Sequence, residues 1–298
     1  MPLTRRQFAA LAAVLCVPDL SSAQDTPAKD GTRDGKGVFW RAKFASHEAV
    51  LFGYVRIRAS FLPEMVDEGK RLIDKAETVL VDMNPGLTLP TVKFKNTDIK
   101  PVFPGLVQPY QDEFRTVLGP SFPQARLTTM SAFEAALLLS GEGQQGFSAK
   151  DPSIGLVLTD YGISRGLSVK TLATDEEMLR MYKPPDLEKV NSVSPAAIVY
   201  LLDLRRSVGP LGAYFDNLYK ARDGEEIARV GAGITSRGVL TPSDFLDVKA
   251  ASGLLVERLA GLPAGTNAFA AVPIGLLAGG FSILDDLKSR GADVIAID

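Results

Sequence analysis

Apolar residues along this chain fall into two kinds of run. Short continuous runs rich in β-branched and aromatic residues read as buried strands, and runs spaced three and four apart read as helices. Ala49 to Arg56 is of the first kind. Phe61 to Ala76 is of the second: Met65, Val66, Leu72, Ile73 and Ala76 share a face, Ser60 stands at the capping position, and Pro63 lies in the first turn. Thr78 to Met83 is another strand-like run. Two buried strands joined by a helix form a βαβ unit, which predicts parallel neighbours. The carboxyl ends of such strands line the usual ligand crevice. That places Tyr54, Arg56 and Asp82 as the candidate ligand-binding residues.

The rest of the chain extends this reading. Val38 to Phe44 predicts an opening strand with Trp40 as a core anchor. Gln108 to Leu118 reads as a helix, and Ser131 caps another, Ala132 to Leu139, which ends at Gly141. Asp151-Pro152 opens a helix whose face carries Ile154, Val157, Leu158 and Tyr161, stopped by Gly166. Leu167 to Leu172 is a short strand, and Asp175 to Tyr182 begins a helix. Ser194-Pro195 starts an apolar helix closed by Gly209. Leu211 to Arg222 carries Tyr214, Phe215, Leu218 and Tyr219 at helical spacing, the pattern of core residues. Ser243 caps a helix from Asp244 to Ala260, Asn267 to Val272 is a strand, Ser282 to Arg290 is a helix stopped by Gly291, and Val294 to Ile297 closes the chain as a strand. The expected fold class is α/β: a parallel or mixed sheet built from two strand–helix–strand units at the chain ends, with a largely helical middle insertion.

Composition narrows the function. The chain has 298 residues, 46% of them hydrophobic, enough for a substantial core. Its net charge is −2 and no Lys/Arg-rich run stands out, which argues against a nucleic-acid partner. Residues 1–23 have the pattern of a twin-arginine signal peptide: Thr4-Arg-Arg-Gln-Phe8, an apolar core from Phe8 to Val17, and small residues Ser21-Ser-Ala23 for cleavage. The apolar run is about half the roughly 20 residues of a membrane span. The expectation is a periplasmic or secreted protein that does not span the membrane. Cys16 lies inside this segment after Leu15, which is too large for a lipoprotein site. Residues 24–37 are polar and read as a flexible leader, and 38–298 form the folded part. Past residue 23 there is no Cys, and His47 is the single His of the chain. His47 stands beside Glu48 just before a strand, where a solvated turn is expected. Zinc and iron sites use several His or Cys ligands, so no metal and no cofactor is assigned.

An ordered set of short motifs carries a resemblance. Phe39-Trp40 opens the first strand, and the next ends in Gly53-Tyr-Val-Arg56. Val79-Leu-Val-Asp82 and Leu172-Ala-Thr174 end two later strands. Then come Pro273-Ile-Gly-Leu276, Leu277-Ala-Gly279 and Leu287-Lys-Ser-Arg-Gly291. Over roughly Val38 to Ile297 this order resembles the TraB/GumN family, which includes the Tiki-like metalloproteases. The resemblance implies a hydrolase scaffold whose relatives hold a divalent metal through His and acidic residues. Here Arg56 and Leu276 stand where the family has His, Pro273 where it has Gly, Ala173 where it has Glu, and Asp82 where it has Glu. An open metal site needs about three protein ligands, and a guanidinium cannot lose its proton to become one.

Three readings follow. The first is a non-catalytic envelope protein in which Arg56 either pairs with Asp82 or holds the carboxylate or phosphate of a small anionic ligand. The second is a metal-dependent hydrolase with a rebuilt oxygen-ligand site around Asp82. The third is a structural or regulatory partner of an envelope protein, presenting Tyr214, Phe215 and Tyr219 as an apolar surface. The sequence leaves the oligomeric state open.

Overall fold

The computed structural model describes residues 37–54, 59–81, 100–142, 154–181, 187–235, 247–278 and 283–297. Within them the chain runs β1 (Phe39–Lys43), β2 (Glu48–Tyr54), α1 (Pro63–Ile73), β3 (Thr78–Val81), α2 (Gln108–Leu118), α3 (Gln124–Leu127), α4 (Ala132–Ser140), α5 (Ile154–Ser164), β4 (Ser168–Thr171), α6 (Asp175–Arg180), α7 (Leu187–Val208), α8 (Leu211–Lys220), α9 (Gly224–Thr235), α10 (Val248–Ala260), β5 (Asn267–Pro273), α11 (Ile274–Leu277), α12 (Ile283–Ser289) and β6 (Asp293–Ala296). The fold is α/β, with one mixed six-stranded sheet in the order β4-β3-β5-β2-β1-β6. β2, β5, β3 and β4 run parallel, and β1 is antiparallel to its neighbours β2 and β6.

The first βαβ unit differs from expectation in one respect. β2 and β3 are parallel but not neighbours, because β5 lies between them, with Ala270 opposite both Leu51 and Leu80. The reason is visible in β5 itself. From Ala268 to Pro273 every residue is buried, and a strand apolar on both faces is stable only where both are covered. β5 therefore takes a central place in the sheet. A stacked row of Phe39, Phe52 and Phe269 crosses three strands, with centroids 4.8 and 6.4 Å apart. Such pairs add about 0.5–1.5 kcal/mol each beyond their buried area. Gly69 of α1 and Gly162 of α5 allow these two helices to pack closely on this face. A Cβ at either would come within 2.6 Å of Leu158 or Val79.

Several helix starts also differ. Ser60 does not cap α1; Ala59 to Phe61 form a 3-10 turn and Leu62 occupies the cap with no side-chain bond. Pro63 sits at the first position, where its missing N–H costs nothing. α7 begins at Leu187 and runs through Pro195. The proline ring lies against Gly105, where a Cβ would come within 2.7 Å of Pro195 Cγ. α10 is capped by Asp247, which accepts from the Ala250 N–H at 3.0 Å. The expected cap Ser243 lies outside the described residues.

The helical middle has its own core. Phe103, Phe114, Leu127, Met130 and Leu139 pack with Ile198, Leu201, Leu202, Leu211 and Val230, apart from the sheet core. Phe215 packs against both cores, and Tyr219 is wholly buried in the sheet core. Tyr219 is thus a core residue, as its spacing predicts, and Tyr214 and Phe215 are half-buried against the hydrophobic clusters. Arg222 joins the two units: it donates to both oxygens of Glu68 in α1 and to the Ile297 carbonyl at 2.9 Å.

Candidate functional site at the carboxyl ends of the strands

Four parallel strands deliver their last residues to one end of the sheet. β2 ends in Gly53-Tyr54. Gly53 donates its N–H to the Val38 carbonyl at 2.8 Å and accepts from the Tyr219 hydroxyl at 3.0 Å. A Cβ there would meet Ile274 Cγ1 at 2.9 Å and Trp40 Cζ3 at 3.0 Å. Packing alone therefore demands glycine at this point of the Gly53-to-Arg56 motif. Tyr54 is half-buried beside the start of α5, with Gly155 against its ring. Tyr54 is thus held at the rim of the sheet, as expected. Arg56 and Asp82 lie outside the described residues.

The neighbouring strand ends are apolar. β5 runs directly into α11 through Pro273, and Ile274, Gly275, Leu276 and Leu277 are all buried. Leu276 is only 5% exposed. The β4 end is sealed by the Leu172 N–H, which donates to the Val81 carbonyl at 2.7 Å. Ala173 follows at 1% exposed. Of the two positions that the resemblance equates with a His and a Glu ligand, Leu276 therefore sits in the hydrophobic core of the sheet and Ala173 is buried.

Charge enters just beyond Ala173. Thr174 and Glu177 form a reciprocal capping box at the start of α6. The Thr174 N–H donates to Glu177 Oε2 at 2.8 Å, and Arg258 of α10 donates to the other carboxylate oxygen. The hydrogen bond from the Thr174 backbone, chiefly, then that from its hydroxyl and the pairing with Arg258, hold the Glu177 carboxyl below its ordinary range. The Asp247 N–H donates to the Met181 carbonyl at 2.8 Å, tying α10 to the end of α6. The Glu177 carboxylate is thus committed to structure, as an acceptor for a helix start and an anchor for a neighbouring helix. Among the described residues, no three His, Cys, Asp or Glu side chains come close enough to hold a metal ion.

His47 departs from the expected solvated turn. It is 7% exposed and stacks on Phe44 at 4.4 Å. Nε2 lies 3.0 Å from the Leu259 carbonyl, and Nδ1 lies 3.0 Å from Ser46 Oγ. A carbonyl can only accept, so Nε2 carries a proton and donates to Leu259. His47 is buried because the end of α10 lies over it, while Ala45 and Ser46 of the turn stay exposed. His47 is at the amino ends of the strands, remote in the ladder from Tyr54.

The charged residues that organise the molecule had uneven signals in the sequence. Thr174-x-x-Glu177 spells a capping box. Arg222 with Glu68, and Arg205 and Arg206 with Glu113, are long-range pairs with no local signature. Comparison of the chain with protein-family models, curated proteins and solved structures found no match.

Proposed function

We propose that the chain is an exported, non-catalytic binding protein of the cell envelope, built on a TraB/GumN-like scaffold whose metal chemistry has been lost. The observation that carries this reading is the burial of Leu276 in the hydrophobic core and of Ala173 at the end of β4, where a metal-binding relative needs an imidazole and a carboxylate. Side chains buried among hydrophobic neighbours leave no room for a hydrated cation there. On this reading the polar character of the site rests on Tyr54, Arg56 and Asp82, with Arg56 paired to Asp82 or holding a small anion. Among the described residues no helix is long and apolar enough to cross a membrane. That accords with a protein exported through its N-terminal segment to the periplasm or medium.

The test is metal content of the protein purified without chelator, paired with thermal denaturation across divalent cations and across phosphate and acetate. The reading expects no stoichiometric metal and no cation-dependent shift. It also expects stabilisation by one of the anions beyond a chloride control of equal ionic strength, lost in Arg56→Ala. A stoichiometric ion that disappears in Asp82→Ala would overturn the reading. It would put in its place a metal-dependent hydrolase with a rebuilt oxygen-ligand site.

A further inference from the structure

The opposite end of the sheet carries a recess that the site above does not use. At the amino ends of β2 and β5, Val50, Leu72 and Ala76 form an apolar floor. Arg41, Glu48 and Lys75 stand around its rim. The recess encloses about 120 Å³. Arg41 comes from β1, where it lies opposite Val50 in the ladder. Its Nε is 3.3 Å from Glu48 Oε1, an ion pair across the hairpin. The same Nε–H is shielded from water and makes no aligned hydrogen bond. Nε is thus taken up on the Glu48 side, whereas the side chain as a whole is 41% exposed, so the two terminal nitrogens of the guanidinium retain capacity for an oxygen ligand. Lys75 adds a second positive charge, while the one rim carboxylate is already balanced by Arg41.

We propose that this recess binds a small carboxylate bearing a short apolar stem. The carboxylate lies between Arg41 and Lys75, and the stem lies on Val50, Leu72 and Ala76. A guanidinium matches a carboxylate in shape as well as charge. A dry cavity of about 150 Å³ takes a benzene ring, so this recess suits a ligand of about six heavy atoms with its head at the open rim. Two sources share this chemistry. A plain short-chain acid uses only the cations and the floor, whereas an α-amino acid also offers an ammonium to Glu48. The site is separate from the carboxyl-end site and does not depend on it.

The probes are butyrate, L-2-aminobutyrate and butylamine, titrated to about 20 mM into the isotopically labelled full chain, with amide shifts followed by NMR at constant ionic strength. A carboxylate probe is expected to move the Val50 and Ala76 amides with a dissociation constant on the order of 1 mM, in keeping with its few heavy atoms. Tighter binding of 2-aminobutyrate than of butyrate, lost in Glu48→Gln, identifies an amino-acid site. Equal binding identifies a plain-acid site. Lys75→Ala, a change on an exposed side chain, should weaken either probe about tenfold, and Arg41→Lys should weaken it while the spectrum remains folded. No carboxylate-dependent shift, butylamine binding as well as butyrate, or unchanged affinity in Lys75→Ala would each overturn the proposal.

Discussion

Replacing Arg222 tests whether one side chain docks the helical unit on the sheet. Arg222 follows the last turn of α8 with φ +56°, a left-handed conformation that costs a non-glycine residue about 1–2 kcal/mol. The sequence retains arginine there in spite of that cost. Its guanidinium donates to both oxygens of Glu68 and to the Ile297 carbonyl, and it lies 6.0 Å from the Phe39 ring centroid. The Glu68 side chain is 13% exposed and that of Arg222 is 26% exposed. Breaking a fully buried pair costs about 3–5 kcal/mol, and an exposed pair contributes about 0–1 kcal/mol. This pair lies between, so Arg222→Ala should cost about 2–3 kcal/mol. Arg222→Gly loses the same contacts but relaxes the backbone, and should recover about 1 kcal/mol of that loss. Urea denaturation at equal m-value measures both. A cycle with Glu68→Gln should give a coupling energy of about 1–2 kcal/mol. The reasoning fails if Arg222→Ala lies within about 0.5 kcal/mol of the parent, the ordinary range of surface changes. It fails equally if the glycine variant is no more stable than the alanine one.

Three further outcomes can be checked the same way. Gly53→Ala should cost about 1–3 kcal/mol, since its methyl group meets Ile274 and Trp40 at about 3 Å; a neutral result in urea denaturation would refute the packing role given to Gly53. His47→Phe keeps the stacking on Phe44 but loses the bond to Leu259. It should destabilise by about 1–2 kcal/mol without changing metal content, and a change in bound metal would contradict the structural role given to His47. Tyr214 is pushed up to about 12, first by burial and then by its hydrogen bond to Glu226. A folded-state pKa above the ordinary value of about 10 means the native protein holds this proton longer than the unfolded chain. Its contribution to stability is therefore complete below pH ~10 and is lost as pH rises towards ~12. Tyr214→Phe should flatten that alkaline loss in stability-versus-pH curves, and an unchanged slope would remove Tyr214 as its source.

Local periodicity made most of the elements legible. The opening strand, the Gln108 helix, the capped Ala132 helix and the closing strand fall within a residue or two of the expected positions. Gly166, Gly209 and Gly291 adopt positive φ where the helices before them stop. What local pattern could not give was order in space. The apolar run of β5 predicts a strand buried on both faces, but nothing in the first βαβ unit says that a strand nearly two hundred residues later enters between its members. α9 was missed because Glu225, Glu226 and Arg229 give its face a polar look, although Ile227, Val230 and Ile234 are buried. His47 beside Glu48 read as solvated because the cover it receives from Leu259 comes from the far end of the chain. Of the candidate site, the placement of Tyr54 at a strand end was legible, whereas the tight packing around Gly53 required Trp40 and Ile274 to be brought together by the fold.

Four of the described glutamates pair with arginines of other elements, and that bears on function. Glu68 holds Arg222, Glu177 holds a helix cap and Arg258, Glu142 takes a bidentate bond from Arg205, and Glu113 sits against both Arg205 and Arg206. An acid–base mechanism built on these four Glu residues would first have to break a contact that joins two parts of the fold. On the proposed reading, chemistry at the carboxyl ends of the strands falls to Tyr54, Arg56 and Asp82. If Arg56 and Asp82 bind each other, the cleft carries no net charge and recognition rests on shape and the tyrosine. If Arg56 is engaged by a ligand, Asp82→Asn should tighten anion binding by removing the competing carboxylate. Tighter anion binding in that variant would favour the ligand-holding arrangement, and weaker binding would mean that Asp82 orients Arg56.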